Sequence, residues 1–339
     1  MIPLDQYKCA VDGIFSRGSA RMFTALLIAA IAISNSAFAA TTSSAYPSKP
    51  IRFIVPFTPG ALNDLLARLI GEQLSVRLGQ RIVVDNRPGA GTTLGSDLVA
   101  KSNPDGYTLL LSSSPLAINP SLQSKLPFDA IKDLAGVTLI GSVPFVLVGN
   151  PKSAITSIPE LVEAAKAKPG QVVYGATVAG QLMVELFKLE AKVDIVHVPY
   201  KGLAPAMVDV MGGQVEFTLG THSSLGPHIK AGRLRALAVT SKSRMRTAPD
   251  IPTIAEAGYK NFDAIAWYGV SVAGRTPKSV ISRLHSEIAA ILKRPEFERH
   301  LEAEGIDIVA SSPDEFDRFL KTETAQWARV IKQAGIKGE

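Results

Sequence analysis

The 339-residue chain carries 36 Lys and Arg against 30 Asp and Glu, a formal net charge of +6, with five His and a single Cys. One cysteine excludes a disulfide framework and a cysteine metal site. The positive excess is spread along the chain with no basic block, which excludes the footprint of a nucleic-acid binder and favours anionic ligands.

The N-terminal segment, residues 1–39, reads as a secretory signal peptide. Arg17 and Arg21 precede an apolar run at 22–33, and Ala37-Phe38-Ala39 supplies the small residues of a cleavage point before Ala40. The run is short for a membrane span, and an uncleaved anchor is the competing reading. Cleavage removes Asp5, Lys8, Cys9, Asp12, Arg17 and Arg21, so the 300 residues that remain carry +5 and no cysteine. A chain of that length can form two domains with ample cores.

Apolar runs then alternate with helical patterns, the signature of α/β layers. Strands are predicted at 51–55, 81–84, 107–111, 137–140, 145–148, 172–174, 195–198, 215–219, 234–240, 267–272 and 306–309. A helix with Leu62, Leu65, Leu66, Leu69 and Ile70 on one stripe follows the first strand and stops at Gly79. Ser157-Ile158-Pro159-Glu160, Thr253-Ile254-Ala255-Glu256 and Ser312-Pro313-Asp314-Glu315 fit the capping box, and Thr276-Pro277 opens a further helix. The segment 137–148 reads as a passage out of one α/β unit, and 267–272 as the way back. The first unit is expected at 40–148 and 272–339 and the second at 149–271, with a ligand cleft between them.

Four strand ends, at 57–64, 87–95, 176–181 and 199–202, carry small residues before helix starts. Exposed amides at a helix N-terminus attract anions, and small residues let a ligand approach the backbone. Arg87-Pro88-Gly89-Ala90-Gly91-Thr92-Thr93-Leu94-Gly95 superficially resembles a dinucleotide fingerprint, but its spacing is G-x-G-x-x-x-G and no acidic residue closes a second strand about twenty positions on. It reads either as amides presented to a smaller anion or as a structural turn. Ser112-Ser113-Ser114 places hydroxyls at the carboxyl edge of a strand, where ligands of open sheets gather, with a solvated turn as the alternative. Asp64 either caps its own helix or orients a water or a ligand amino group.

Enzyme signatures are missing from the sequence: there is no G-x-S-x-G elbow, no H-E-x-x-H and no phosphate-binding G-x-x-x-x-G-K-[ST] loop. The histidines at 197, 222, 228, 285 and 300 show no metal-ligand spacing. These loops offer binding chemistry without a nucleophile, and neither a cofactor nor a metal is expected.

The stretches Tyr46-Pro47-Ser48-Lys49-Pro50-Ile51-Arg52, VPFTPG, NRPGAGTTLG, NPDGYTLL, KPGQVVYG, VDIVHVPYKG, AGRLRALAVTS and WYGV…GRTPK run in this order over essentially the whole chain beyond the leader. In them the chain resembles the solute receptors of the tripartite tricarboxylate transporters, the Bug receptors. The resemblance implies a two-lobed periplasmic binding-protein fold (type II, Venus-flytrap), each lobe a mixed, mostly parallel sheet flanked by helices, closing on a small carboxylate. It implies ligand contacts from Phe57, Thr58, Pro59, Gly60, Ala61 and Asp64, from Gly89, Ala90, Gly91 and Ser113, and from Ala176, Thr177, Tyr200, Lys201 and Gly202. A periplasmic monomer partnered by membrane permease subunits is expected, with a sensor partner, or an enzyme on the same scaffold, as the alternatives.

Three departures bear on the ligand. Gly60-Ala61 stands where the family usually has Gly-Gly, about three residues are missing before the helix near Gly180-Gln181, and Gly220 replaces a common acidic residue. A mono- or dicarboxylate is expected rather than citrate, because a third buried charge would need compensation. The shortened segment tilts the expectation towards a less polar acid, aromatic acids included.

Overall fold

The computed structural model describes residues 46–336; the signal-peptide expectation and its cleavage point lie outside the described residues. In chain order the elements are β1 (Ile51–Val55), α1 (Leu62–Leu78), β2 (Ile82–Asn86), a 3-10 turn (Ala90–Thr92), α2 (Thr93–Ala100), β3 (Thr108–Ser113), α3 (Pro115–Leu122) and β4 (Leu134–Gly149). They continue as α4 (Ile158–Ala167), β5 (Val173–Ala176), α5 (Val178–Ala191), β6 (Val196–Pro199), α6 (Leu203–Gly212), β7 (Phe217–Thr221), α7 (His222–Lys230) and β8 (Arg235–Val239). The chain then returns through β9 (Ile265–Ala273), α8 (Lys278–Leu292), α9 (Pro295–Ala303), β10 (Asp307–Ile308) and α10 (Pro313–Ala334).

Two groups of strands share β4. In the first, β1 runs parallel to β2 and β3, and β9 lies antiparallel between β3 and β4. In the second, β5 runs parallel to β6 and β7, while β4 is antiparallel to β7 and β8. The run Ile51–Val55 is nearly all apolar because a parallel strand is covered on both faces. Helix α1 stops where Gly79 takes a left-handed φ of 64°, a conformation that glycine adopts without strain.

Strand β4 departs from expectation. The sequence reads as two strands, at 137–140 and 145–148, but the structure has one strand of 16 residues. Its partners change midway: Leu134–Pro144 pair with β9, and Phe145–Gly149 pair with β7. The apparent breakers have other tasks. A Cβ at Gly141 would lie 2.5 Å from the Asp307 carbonyl, so the glycine admits the β10 backbone. Pro144, which brings no backbone donor, sits where β4 exchanges one partner for another. The pairing changes therefore fall at 144/145 on the way out and before Ile265 on the way back, offset from the expected ends at 148 and 271.

The caps differ in outcome. Ser312 and Glu315 form the full reciprocal box at the start of α10. Ser157 accepts from the Glu160 amide, but the Glu160 carboxylate turns to the Thr156 amide at 2.6 Å. Thr253 also accepts from the Glu256 amide (2.9 Å), yet only a turn follows, because Arg244 takes the Glu256 carboxylate at 2.6 Å. Helix α3, interrupted by Pro120, gives no clear period and is not among the expected elements.

Helix α10 buries Phe316, Leu320, Glu323, Trp327, Val330 and Ile331 along one stripe and packs on β4, α3 and α5. Trp267 of β9 meets Phe316 and Phe319 edge-on, at 5.7 and 5.6 Å. Gly269 makes room, since a Cβ there would lie 2.4 Å from the Phe316 ring. No helix among the described residues is long and apolar enough to cross a membrane.

Candidate functional site

Strand directions alone bring the four small-residue loops face to face. β3 is antiparallel to β9, and β9 to β4, so β3 runs the same way as β4, towards the second sheet. β7 is antiparallel to β4 and parallel to β5, so β5, β6 and β7 run back towards the first sheet. The carboxyl ends of the two parallel sets therefore point at each other, which is where open sheets take ligands. Register sets the gap. Ser113 and Gly141 both stand opposite Tyr268, and Thr221 stands opposite Phe145. From Gly141 to Phe145 along β4 is about 13 Å at the usual rise, room for a small molecule.

In the first lobe the loops are held by side chains. Asp64, buried in the first turn of α1, accepts from the Gly60 amide (3.0 Å), Arg68 Nε (3.0 Å) and Asn86 Nδ2 (3.0 Å). The Arg68 guanidinium is the main influence holding its carboxyl below the usual range, helped by the Gly60 and Asn86 bonds and opposed by burial. Asn86 also donates to the Phe57 carbonyl at 3.0 Å, so Phe57, Thr58, Pro59 and Gly60 are pinned at both ends. Gly60 needs its φ of 84°, whereas Ala61 sits at −74°, so alanine in place of glycine there carries no strain.

The glycine loop is a left-handed stretch: Ala90, Gly91 and Thr92 all have positive φ. Helix α3 braces it, with Asn119 donating to the Gly91 carbonyl (2.7 Å) and Gln123 to the Ala90 carbonyl (3.1 Å). Gly89, Ala90 and Gly91 remain exposed. At the end of β3 the three serines divide. Ser112 bonds Ser271 (2.6 Å), Ser114 accepts from the Trp267 amide (3.1 Å), and Ser113 stays at the carboxyl edge.

The second lobe is organised differently. The Ala176 carbonyl accepts from His197 Nε2 and from the Tyr200 amide, both at 3.0 Å, which ties the ends of β5 and β6 together. The Tyr200 hydroxyl donates to Asp209 on α6, and that bond is the main cause raising its pKa. Tyr200 thus spends its hydroxyl within the lobe. Lys201 is exposed and makes no ion pair among the described residues, and Gly202 is the N-cap of α6.

Two of the departures acquire a shape. Thr177 alone links β5 to α5, and a Cβ at Gly180 would lie 3.0 Å from both Ala176 and Leu219, so the first turn of α5 seats directly on the sheet. Gly220 lies within β7 rather than after it, and the space beside its Cα is filled by Leu203 of α6. An apolar side chain occupies the place where an acidic one is common.

Six helices start at these edges: α1, α2, α3, α5, α6 and α7. None has a side-chain cap bond; in α2 the Thr93 and Leu94 amides turn back to the Ala90 and Gly89 carbonyls, and elsewhere the leading amides are left for other acceptors. By contrast α4 and α10 are capped by their own serines, although α8 and α9 also lack caps. The chemistry on offer is a set of converging amides, hydroxyls and one free ammonium, suited to an anion. A cavity of about 650 Å³, lined by Asn150, Lys152, Lys168, Gln171 and Glu216, lies at the opposite end of the second sheet, away from these loops. Sequence reading missed the braces Arg68, Asn86, Asn119, Gln123 and Asp209.

Comparison with known proteins identifies the family and the fold. Residues 66–336 match the model of the tripartite tricarboxylate transporter family receptor. The chain is 40% identical over 318 residues to BugT of Bordetella pertussis, covering 92% of this chain and 98% of that one. Among solved structures, an R. palustris protein with adipate is 33% identical with a TM-score of 0.68, covering 87% of this chain and 100% of that one. The periplasmic binding protein BugD is 31% identical with a TM-score of 0.65 and the same coverage. This chain, on a two-lobed periplasmic binding-protein fold, belongs to the family of tripartite tricarboxylate transporter receptors.

Proposed function

We propose that this protein is a periplasmic receptor that captures a small organic carboxylate between its lobes and delivers it to the permease of a tripartite tricarboxylate-type transporter. The observation that carries the reading is the pair of facing edges whose helices start without side-chain caps. Such amides hold a carboxylate through backbone donors, and the positive ends of the helix dipoles add to the attraction. The R. palustris relative solved with adipate supports a dicarboxylate. Leu203 beside Gly220 favours a ligand with an apolar body over one with an amino group.

The lobes are taken to be 145–264 for the second and the flanking segments for the first, following the strand pairing. Ligand held by both edges then favours the closed arrangement, with β4 and the return segment as hinges.

A thermal-shift screen of organic acids tests the reading. A ligand at a hundredfold excess over its Kd adds about 2.7 kcal/mol to the native state, which is a rise of a few degrees for a chain of this size. Neutral sugars or cationic amines that raise the transition while every acid fails would sink the anion site.

A further inference from the structure

One pair of hydroxyls at the floor of the cleft is left over by everything described above. Ser113, the last residue of β3, stands directly opposite Tyr268 of β9 in an antiparallel pair. Opposed residues in such a pair project to the same face, with Cβ atoms about 5 Å apart. Alternation sends Ser112 and Trp267 to the other face, where Ser112 meets Ser271 and Trp267 meets Phe316. The other cross-strand neighbour of Tyr268 is Gly141, which brings no side chain.

Both residues are largely enclosed, Ser113 at 7% exposure and Tyr268 half-buried, but their hydroxyls open to the cleft, and neither side chain has a hydrogen-bond partner among the described residues. Two such unpaired O–H donors side by side, open to the cleft, are placed to donate together to an acceptor bound there. Burial raises the Tyr268 phenol above its ordinary range, so it is a neutral O–H donor at physiological pH. The pair lies at the carboxyl edge of β3, on the side where the second lobe approaches.

We propose that Tyr268 is a ligand-contacting residue whose phenol, together with the Ser113 hydroxyl, donates to one carboxylate group of the bound acid. This rests on the carboxylate reading of the cleft and adds to it a donor that none of the loop motifs includes. The phenol lies on β9, next to the strand shared by both lobes, so the contact couples ligand to the hinge. Its ring also gives the acid an apolar neighbour beside the bonded oxygen.

Isothermal titration of the full chain with adipate as the probe tests the assignment, with the strongest acid from the thermal-shift screen in its place if adipate is silent. Tyr268→Phe, which removes one oxygen, is expected to raise Kd about tenfold while the ligand-free melting transition stays within a degree or two. Ser113→Ala is expected to act in the same direction. The double variant should lose less than the product of the two, since both donors serve one group. A Tyr268→Phe protein that binds as wild type overturns the proposal, and so does one whose ligand-free transition falls with its affinity. If the wild-type protein binds no acid at all, the carboxylate reading itself fails first, and the two failures are told apart.

Discussion

The two edges of the cleft are built on different principles. In the first lobe, side chains from α1, β2 and α3 reach the loop backbone: Asp64 and Asn86 fix 57–60, and Asn119 and Gln123 fix 90–91. In the second lobe the ties run between strand ends, through His197 and the Tyr200 amide, while Thr177, Lys201 and Gly202 carry no such brace. The first edge thus has its loop backbone braced by side chains, while the second leaves Thr177, Lys201 and Gly202 without such braces. On the proposed reading, pre-organisation on one side would lower the ordering cost of binding.

Asp64→Ala is the largest blow to this contrast. It leaves the Gly60 amide, Arg68 and Asn86 without their shared acceptor. Unfolding in urea should show a loss of roughly 3 kcal/mol, and titration a loss of acid binding of about a hundredfold. Because the Asp64 carboxyl lies below its ordinary range, its contribution is present above the unfolded pKa and is lost only as pH falls through the folded one. The deficit of the variant should therefore be constant from pH 5 to 8. A variant as stable and tight-binding as wild type would mean that the loop holds its shape without the brace.

The second effect tests whether the stiffness of the first lobe continues into the hinge. Glu323 of α10 is 5% exposed, accepts from Trp327 Nε1 at 3.0 Å, and is pushed up to about 7, mainly by burial. Asp263, on the return path to β9, is raised by burial as well. A raised acid favours folding below its unfolded pKa, and that advantage is lost as pH climbs through the folded value. Stability should fall between about pH 4.5 and 7. Glu323→Gln keeps the bond to Trp327 and should recover about 2 kcal/mol at pH 8, with a flatter profile; denaturation curves at several pH values decide it.

Smaller effects sharpen the contrast. Gln123→Ala frees the Ala90 carbonyl and should cost about 1 kcal/mol and weaken acids a few-fold. Lys201→Ala, on the unbraced edge, should change stability by less than about 0.5 kcal/mol. It should nevertheless weaken acid binding about threefold at low salt, an effect that fades as salt screens the ammonium. Should Lys201→Ala prove the more destabilising of the two, the assignment of braced and unbraced edges is reversed.

Much of this was legible in the sequence because it depends on local pattern. The run Ile51–Val55, the leucine stripe of α1 with Gly79 behind it, and the box at Ser312 follow from periodicity and capping alone. The loops were recognisable as strand ends with small residues, and the family resemblance named their members. Other features depend on distant partners. Nothing near Gly141 and Pro144 tells that β10 and a change of partner await them, so one strand read as two. The braces span long separations: Asn86 lies 22 residues from Asp64, and Gln123 lies 33 from Ala90. A polar side chain on a helix face reads as a solvated one until the fold brings a carbonyl to it. Tyr268 stands in the quoted WYGV stretch, but an apolar strand gives no sign that its phenol lacks a partner.

The shared strand also orders assembly in time. The second sheet is complete once residues 145–239 are available, since the end of β4 from Phe145 and all of β5 through β8 lie within that span. The first sheet must wait, because β9 has to insert between β3 and β4, joining residues such as Ser112 and Ser271 that are 159 apart in sequence. Closing so long a loop before any contact rewards it is slow, and until it happens the facing edges of β3 and β4 stand open to pairing with other chains. A chain stopped before β9 would keep a nearly finished second half beside an unzipped first half.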